Sequence, residues 1–164
     1  MKTLLLMRHA KSDWDADYGP DHDRPLNDRG LRSARIMGRV LADEGLVPDL
    51  IISSTAVRAR RTAELAIDAG GWDTHLVLDR SLYDEGPRGV LEAGASAPDV
   101  DTVMLVGHQP TWSMLVSTLT GERAEMKTAT VAVIELDLDS WADLPGASGE
   151  LTRVLEARAV DRGP

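Results

Sequence analysis

The first residues that could do chemistry are an arginine and a histidine at the end of an apolar run. Residues 4–7 read Leu-Leu-Leu-Met, and Arg8 and His9 follow directly. A guanidinium binds phosphate oxygens through a fork of N–H groups, and a neutral imidazole can act as a nucleophile or a base. A secretory signal would also explain the apolar run, but the run is shorter than the roughly 7–15 residues that such a segment needs.

Two other strand-like runs also end in polar residues. Ser53 and Ser54 end one run and precede Arg58, while Gly107 and His108 end another. Ligands of open α/β sheets bind at the carboxyl ends of the strands, so these side chains are expected to share one edge of the sheet with the first pair. Guanidinium groups and helix N-termini favour negative charge. The joint placement of two arginines, two histidines and helix N-termini at one edge of the sheet therefore predicts a phosphate site.

The elements that must position these residues alternate along the chain. Strand-like runs are found at 3–7, 50–53, 74–78, 102–106 and 130–136. Between them lie helical patterns, and this alternation predicts an α/β three-layer sandwich, a mostly parallel sheet with helices on both faces. Segment 150–158 follows a turn and predicts an antiparallel edge strand. The length of 164 residues predicts a single domain over residues 1–164.

Capping residues predict where three of the helices begin and end. Asn27 is a predicted N-cap, and Ser54 or Thr55 is predicted to cap the next helix, which ends at the glycine pair 70–71. Pro110 suits the first position of a third helix.

Composition excludes several classes of protein. A net charge of −9 argues against a nucleic-acid partner or an anionic membrane surface. The absence of cysteine excludes disulfides, thiolate metal sites and a cysteine-nucleophile phosphatase. No apolar run approaches the roughly 20 residues that span a bilayer. We therefore expect a soluble, cytoplasmic protein.

Three motifs, in this order, resemble the signatures of the histidine phosphatase superfamily. They are LMRHAKSDW (6–14), SSTAVRARRTAE (53–64) and VGHQPT (106–111). Within that superfamily, RHAKSDW followed by DHDRPLNDRG (21–30) most closely resembles the SixA-like phosphohistidine phosphatases. The resemblance covers almost the whole chain and implies the α/β fold of the superfamily.

The resemblance also implies roles for four residues. His9 would be the nucleophile, and Arg8, Arg58 and His108 would hold the phosphoryl oxygens. Such a histidine attacks phosphorus as a neutral ring and forms a phosphohistidine that water then hydrolyses. A backbone carbonyl that accepts from its other ring nitrogen would fix the required tautomer.

Neighbouring residues extend this predicted site. Ser12 and Arg24 are candidate substrate-binding residues, and Lys11 is a candidate for assisting in the first loop. The chain departs from the superfamily pattern at Ala10, where Gly is usual, and at Arg61, where Gln is common. Arg61 would add positive charge beside the anion site.

The acid that protonates the leaving group is predicted in the segment SLYDEGP (81–87). Many superfamily members carry a Glu in an L-x-E segment at this point, and Asp84 occupies that position here, with Glu85 adjacent. The alternative interpretation is that this segment is only a solvated acidic turn. SixA-like proteins can lack the acid, which leaves this alternative open.

The acidic stretch 13–24 has the spacing of the first calcium-loop ligands, but Tyr18 and Arg24 stand where such a loop needs Gly and Glu. We therefore predict a solvated loop beside the site, no metal and no cofactor. The four scattered tryptophans, at 14, 72, 112 and 141, are predicted to serve packing in the interior rather than to form a binding platform. His22 and His75 are predicted to lie on the surface.

The favoured function is removal of phosphate from phosphohistidine on a protein, because a chain without a long insertion leaves its pocket open to a protein side chain. A small-molecule phosphomonoesterase of the same superfamily is the alternative. A phosphoglycerate mutase-like isomerase would need a closed site, and a non-catalytic phosphate-binding module would not need the intact set of histidines and arginines.

Overall fold

The strands of the chain form one mixed sheet. This computed structural model describes residues 1–157. Its strands are β1 (Lys2–Arg8), β2 (Leu50–Ser53), β3 (His75–Leu78), β4 (Thr102–Gly107), β5 (Val131–Leu136) and β6 (Gly149–Leu155). They lie in the order β3-β2-β4-β1-β5-β6. The first four are parallel to one another, β5 is antiparallel to β1, and β6 is antiparallel to β5.

Helices cover both faces of this sheet. They are α1 (Asp28–Asp43), α2 (Val57–Gly70), α3 (Ser81–Asp84), α4 (Gly86–Gly94) and α5 (Thr111–Thr120). Leu5 and Met7 of β1 point into a core with α1 and α2, whereas Leu4 and Leu6 point into a second core with α3, α4 and α5. Because β1 is buried on both faces, its sequence is a continuous apolar run.

The predicted α/β sandwich with an antiparallel edge strand is confirmed, and the sheet differs from the prediction in one detail. The reversal of direction begins inside the sheet at β5, one strand before the edge. Since β5 is buried on both faces, its apolar run does not reveal its direction. The predicted edge strand ends at Leu155, and Arg158, the last residue of the predicted segment, lies outside the described residues.

The predicted start of α1 and the predicted end of α2 are confirmed, whereas the predicted starts of α2 and α5 differ from the structure. Asn27 accepts a hydrogen bond from the Gly30 amide at the start of α1, and α2 ends in the left-handed Gly71. The N-cap of α2 is Ala56 rather than Ser54 or Thr55. Pro110 precedes the first residue of α5 by one position. No helix within residues 1–157 is both long and apolar enough to cross a membrane.

The carboxyl ends of the three central strands meet at one edge, as predicted. Arg8 pairs with Gly107 across β1 and β4, and the His9 amide donates to the Gly107 carbonyl at 3.0 Å. A Cβ at Gly107 would lie 2.1 Å from the ring of Trp112, so only glycine allows this indole to pack beneath the strand end. This edge positions the side chains of the site.

Candidate active site

A cavity of about 190 Å³ opens at this edge of the sheet. Its lining consists of Arg8, His9, Lys11, Ser12, Trp14, Arg24, Arg58, His108, Gln109 and Thr128. The structure therefore brings together every predicted site residue except Asp84. Three arginines and a lysine line this cavity in a chain of net charge −9, so the cavity is a local concentration of positive charge.

His9 is buried at the bottom of this site in a defined tautomer. Its Nδ1 lies 2.7 Å from the carbonyl oxygen of Ala10, and a carbonyl can only accept, so Nδ1 carries the proton. Burial, together with the positive charge of Arg58 and Arg8, lowers the pKa of His9 to about 3, although the Ala10 hydrogen bond opposes this shift. At neutral pH His9 is therefore a neutral imidazole with a lone pair on Nε2.

The two arginines beside it are anchored to the protein, and each keeps a buried N–H group without a partner among the described residues. Arg8 Nη1 donates to the carbonyl of Met126 at 3.0 Å, and Arg58 Nη1 donates to the carbonyl of Asp21 at 2.8 Å. The Nε atoms of both arginines are buried without a partner in the described part of the chain. Buried N–H groups without partners are costly, so these donors suit an anion that enters the cavity.

His108 lies opposite His9, with 5.2 Å between the ring centroids. Its Nε2 lies 2.8 Å from Oγ of Ser54, and within residues 1–157 its Nδ1 is buried without a partner. Burial and the nearby charge of Arg58 lower the pKa of His108 to about 4. Both histidines are therefore neutral at physiological pH, and the positive charge of the site comes from the arginines.

Asp21 is a site residue that the sequence analysis missed. Its carboxylate accepts from Nη2 of Arg58 at 3.1 Å and from the hydroxyl of Tyr83 at 3.2 Å, and it pairs with Arg24. Partial burial raises the pKa of Asp21, but Arg58 and Arg24 outweigh this and hold it below its usual value. Asp21 is thus an ionised anchor for two arginines of the cavity.

Trp14 does not pack in the interior as predicted. Its side chain is 67% exposed, whereas Trp72, Trp112 and Trp141 are buried. The guanidinium carbon of Arg24 lies 3.5 Å from the centroid of a Trp14 ring. His75 is exposed as predicted, and the half-buried His22 instead contacts Tyr83 beside the site.

Asp84 does not reach the cavity. It lies at the end of α3, where its exposed carboxylate accepts from Nε of Arg80 at 3.0 Å. The preceding residue, Tyr83, contacts the site through Asp21, and successive residues of a helix point about 100° apart. The turn of α3 that presents Tyr83 to the site therefore separates Asp84 from it.

Comparison with known proteins identifies the family of this chain. The family model for the histidine phosphatase superfamily (branch 1) matches residues 4–84. An uncharacterized protein of Mycobacterium tuberculosis is 37% identical over 156 residues, which are 87% of this chain and 94% of that protein. The chain belongs to the histidine phosphatase superfamily.

Solved structures of this superfamily have the same fold. A protein of Nakamurella multipartitia that is proposed to be the phosphohistidine phosphatase SixA superimposes with a TM-score of 0.83 at 31% identity, over 94% of this chain and 95% of that one. A protein of Agrobacterium tumefaciens, also proposed to be SixA, gives 0.80 at 30% identity, over 94% and 97%. The structural neighbours of this superfamily member thus include SixA-like proteins.

Proposed function

We propose that this protein is a phosphatase that removes phosphate from phosphohistidine on a protein, with His9 as the nucleophile. The observation that carries the proposal is the state of His9, a neutral ring whose proton is held on Nδ1 in a cavity with free arginine N–H donors. A histidine with a free lone pair beside donors for phosphoryl oxygens fits attack on phosphorus better than a purely structural role.

The reaction follows from these groups in two steps. In the first, the Nε2 lone pair of His9 forms a bond to phosphorus while the bond between phosphorus and the leaving nitrogen breaks. In the second, water attacks phosphorus, the bond to Nε2 breaks, and the protons of the water stay on the released phosphate and solvent. Arg8, Arg58 and His108 would donate to the phosphoryl oxygens, where charge develops.

The chemistry of the leaving group supports phosphohistidine as the substrate. No residue that lines the cavity within the described chain carries a carboxyl group, and Asp21, which contacts two of the lining arginines, is held ionised by them. An imidazole whose second nitrogen is protonated leaves as a neutral ring and needs no acid. An alkoxide has a conjugate acid about as weak as water and needs one. Similarity to proteins proposed to be SixA points the same way.

A direct assay tests this proposal. A histidine-phosphorylated protein domain, p-nitrophenyl phosphate and 3-phosphoglycerate would be incubated with the wild type, with His9→Ala and with the surface control His75→Ala. We expect release of phosphate from the phosphoprotein by the wild type and by His75→Ala, and none by His9→Ala. Preferred hydrolysis of phosphate esters would instead establish a small-molecule phosphomonoesterase, and formation of 2-phosphoglycerate would establish a mutase.

A further inference from the structure

Trp14 lies at the cavity but has no role in the proposed reaction. Trp14 lines the same cavity as His9, yet 67% of its side chain is exposed. The other three tryptophans of the chain are buried. A large apolar ring in contact with water at the mouth of an anion site is expected to serve a contact with something that enters the site.

The indole is supported from one side by a fixed cation. The guanidinium carbon of Arg24 lies 3.5 Å from a Trp14 ring centroid, which is a stacked contact. Arg24 is itself buried, and it is held by Oγ of Ser12 at 3.0 Å from its Nε and by an ion pair with Asp21. One face of the indole is therefore covered by a rigid partner, and its exposed area remains open beside the cavity.

We propose that Trp14 is a specificity-determining residue that stacks against the planar ring bearing the phosphoryl group. When the arginines and His9 hold the phosphoryl group inside, the group attached to it must extend towards the mouth, where Trp14 lies. The identity of the ring rests on the proposed function, in which it is the imidazole of phosphohistidine. Aromatic rings pair by stacking or edge contacts that contribute beyond the burial of their area.

The alternative role for Trp14 is to cover Arg24 and hold its guanidinium in place. In that case loss of the indole would weaken the binding of any phosphate-like ligand, because Arg24 lines the cavity. Stacking on the substrate instead affects only ligands that carry a ring. The two roles are therefore separated by ligands that share the anionic group and differ in the ring.

Phenylphosphonate and methylphosphonate are such a pair, and neither is hydrolysed. Calorimetric titration would compare the wild type, Trp14→Ala, Trp14→Phe and, as a control, Met114→Ala, which removes a 49% exposed apolar side chain outside the cavity lining. We expect the wild type and Met114→Ala to bind phenylphosphonate about five- to tenfold more tightly than methylphosphonate. Trp14→Ala should lose this preference with its affinity for methylphosphonate unchanged, and Trp14→Phe should keep most of it.

Several results would overturn the proposal. These are no preference for the ring in the wild type, a preference that persists in Trp14→Ala, an equal loss of both affinities in Trp14→Ala, and no binding of either phosphonate. Binding of the phosphonates does not depend on turnover, so the stacking role of Trp14 and the proposed phosphatase function can be refuted independently of each other. A ring preference in a protein that hydrolyses no phosphohistidine would refute the proposed function and leave the stacking role of Trp14 supported.

Discussion

The hydroxyl oxygen of Ser54 lies 2.8 Å from Nε2 of His108 and also accepts a hydrogen bond from the amide of Ala56 at 3.1 Å. In the contact with Ala56 the amide supplies the proton, so the hydroxyl proton of Ser54 remains available for donation to His108. A neutral His108 that accepts at Nε2 carries its own proton on Nδ1, the buried atom without a partner in the described chain. We therefore predict that Ser54 donates to Nε2 of His108 and that Nδ1 of His108 is the donor for a phosphoryl oxygen.

The first prediction tests Ser54 as a positioning residue. Ser54→Ala removes the hydroxyl that contacts Nε2 of His108, and we expect kcat to fall about five- to tenfold, the effect of one lost hydrogen bond. Long-range ¹H–¹⁵N spectra should show the proton of His108 on Nδ1 in the wild type and a mixture of tautomers in the variant. Ser53→Ala is the matched control, because Ser53 donates to a backbone carbonyl instead. An unchanged tautomer in Ser54→Ala would refute this role.

The hydroxyl of Ser54 also explains why the sequence predicts the wrong N-cap for α2. A serine just before a helix is an ordinary N-cap, but the amide of Ser54 still donates to the carbonyl of Val106 in β4, and its hydroxyl contacts His108. The strand ends were predictable, because buried parallel strands read as apolar runs and the polar residues after them stand out. Their convergence follows from the topology of parallel strands.

Asp21, Tyr83 and Trp14 do not directly follow a predicted strand, unlike His9 and His108. Asp21 contacts Arg58 across 37 positions of the chain and Tyr83 across 62. Such contacts depend on how the loop 13–24 folds over the site. The composition of this loop does not predict them, because a solvated acidic loop has the same composition. The DHDR sequence at 21–24 was the available clue, since an acidic residue three positions before an arginine can pair with it, as Asp21 does with Arg24.

The second prediction concerns the intermediate. Rapid quenching without acid, after mixing with a labelled phosphohistidine protein, should trap phosphate on Nε2 of His9, because Nδ1 holds its proton against Ala10. Mass spectrometry of peptides locates the phosphate, and NMR of the trapped protein identifies the nitrogen. His75→Ala should give the same adduct. Phosphate on another residue, or none on His9 during turnover, would contradict the mechanism.

The third prediction is a loss of stability in mild acid. The pKa of folded His9, about 3, lies below its unfolded value of about 6.5, so the unfolded chain binds the proton first as the pH falls. His9 should therefore lower the free energy of unfolding by about 2 kcal/mol between pH 7 and pH 5. Denaturant titrations should show a shallower pH dependence for His9→Gln and an unchanged one for the exposed His75→Gln. Identical slopes for wild type and His9→Gln would contradict the buried neutral state.

The fourth prediction is activity without metal. Within residues 1–157, no group of three or more His, Cys, Asp or Glu side chains could hold a metal ion, and the charge of the phosphate faces arginines instead. Turnover of phosphohistidine should be unchanged in excess EDTA, and vanadate should inhibit competitively by occupying the phosphoryl site. Loss of activity in EDTA that Mg²⁺, Mn²⁺ or Zn²⁺ restores would refute this prediction.

The last prediction distinguishes the leaving groups. A positioned acid accelerates departure of an alkoxide roughly 10²–10⁴-fold, and the carboxyl expected at this place, that of Asp84, is paired with Arg80 outside the cavity lining. We therefore expect slow wild-type hydrolysis of an alkyl phosphate and rapid hydrolysis of phosphohistidine. Asp84→Asn should change neither rate by more than about twofold, an effect far smaller than loss of a general acid.

Asp21→Asn is the informative comparison, since it removes the carboxylate that holds Arg58 and Arg24. Those arginines are predicted to act on the phosphoryl group, so both substrates should be affected by the same factor. A loss at least about tenfold larger for the alkyl phosphate in Asp21→Asn would mean that Asp21 supplies a proton, despite a pKa that the arginines hold below its usual value. The same selective loss in Asp84→Asn would require α3 to rotate Asp84 towards the cavity during turnover, which would break its contact with Arg80.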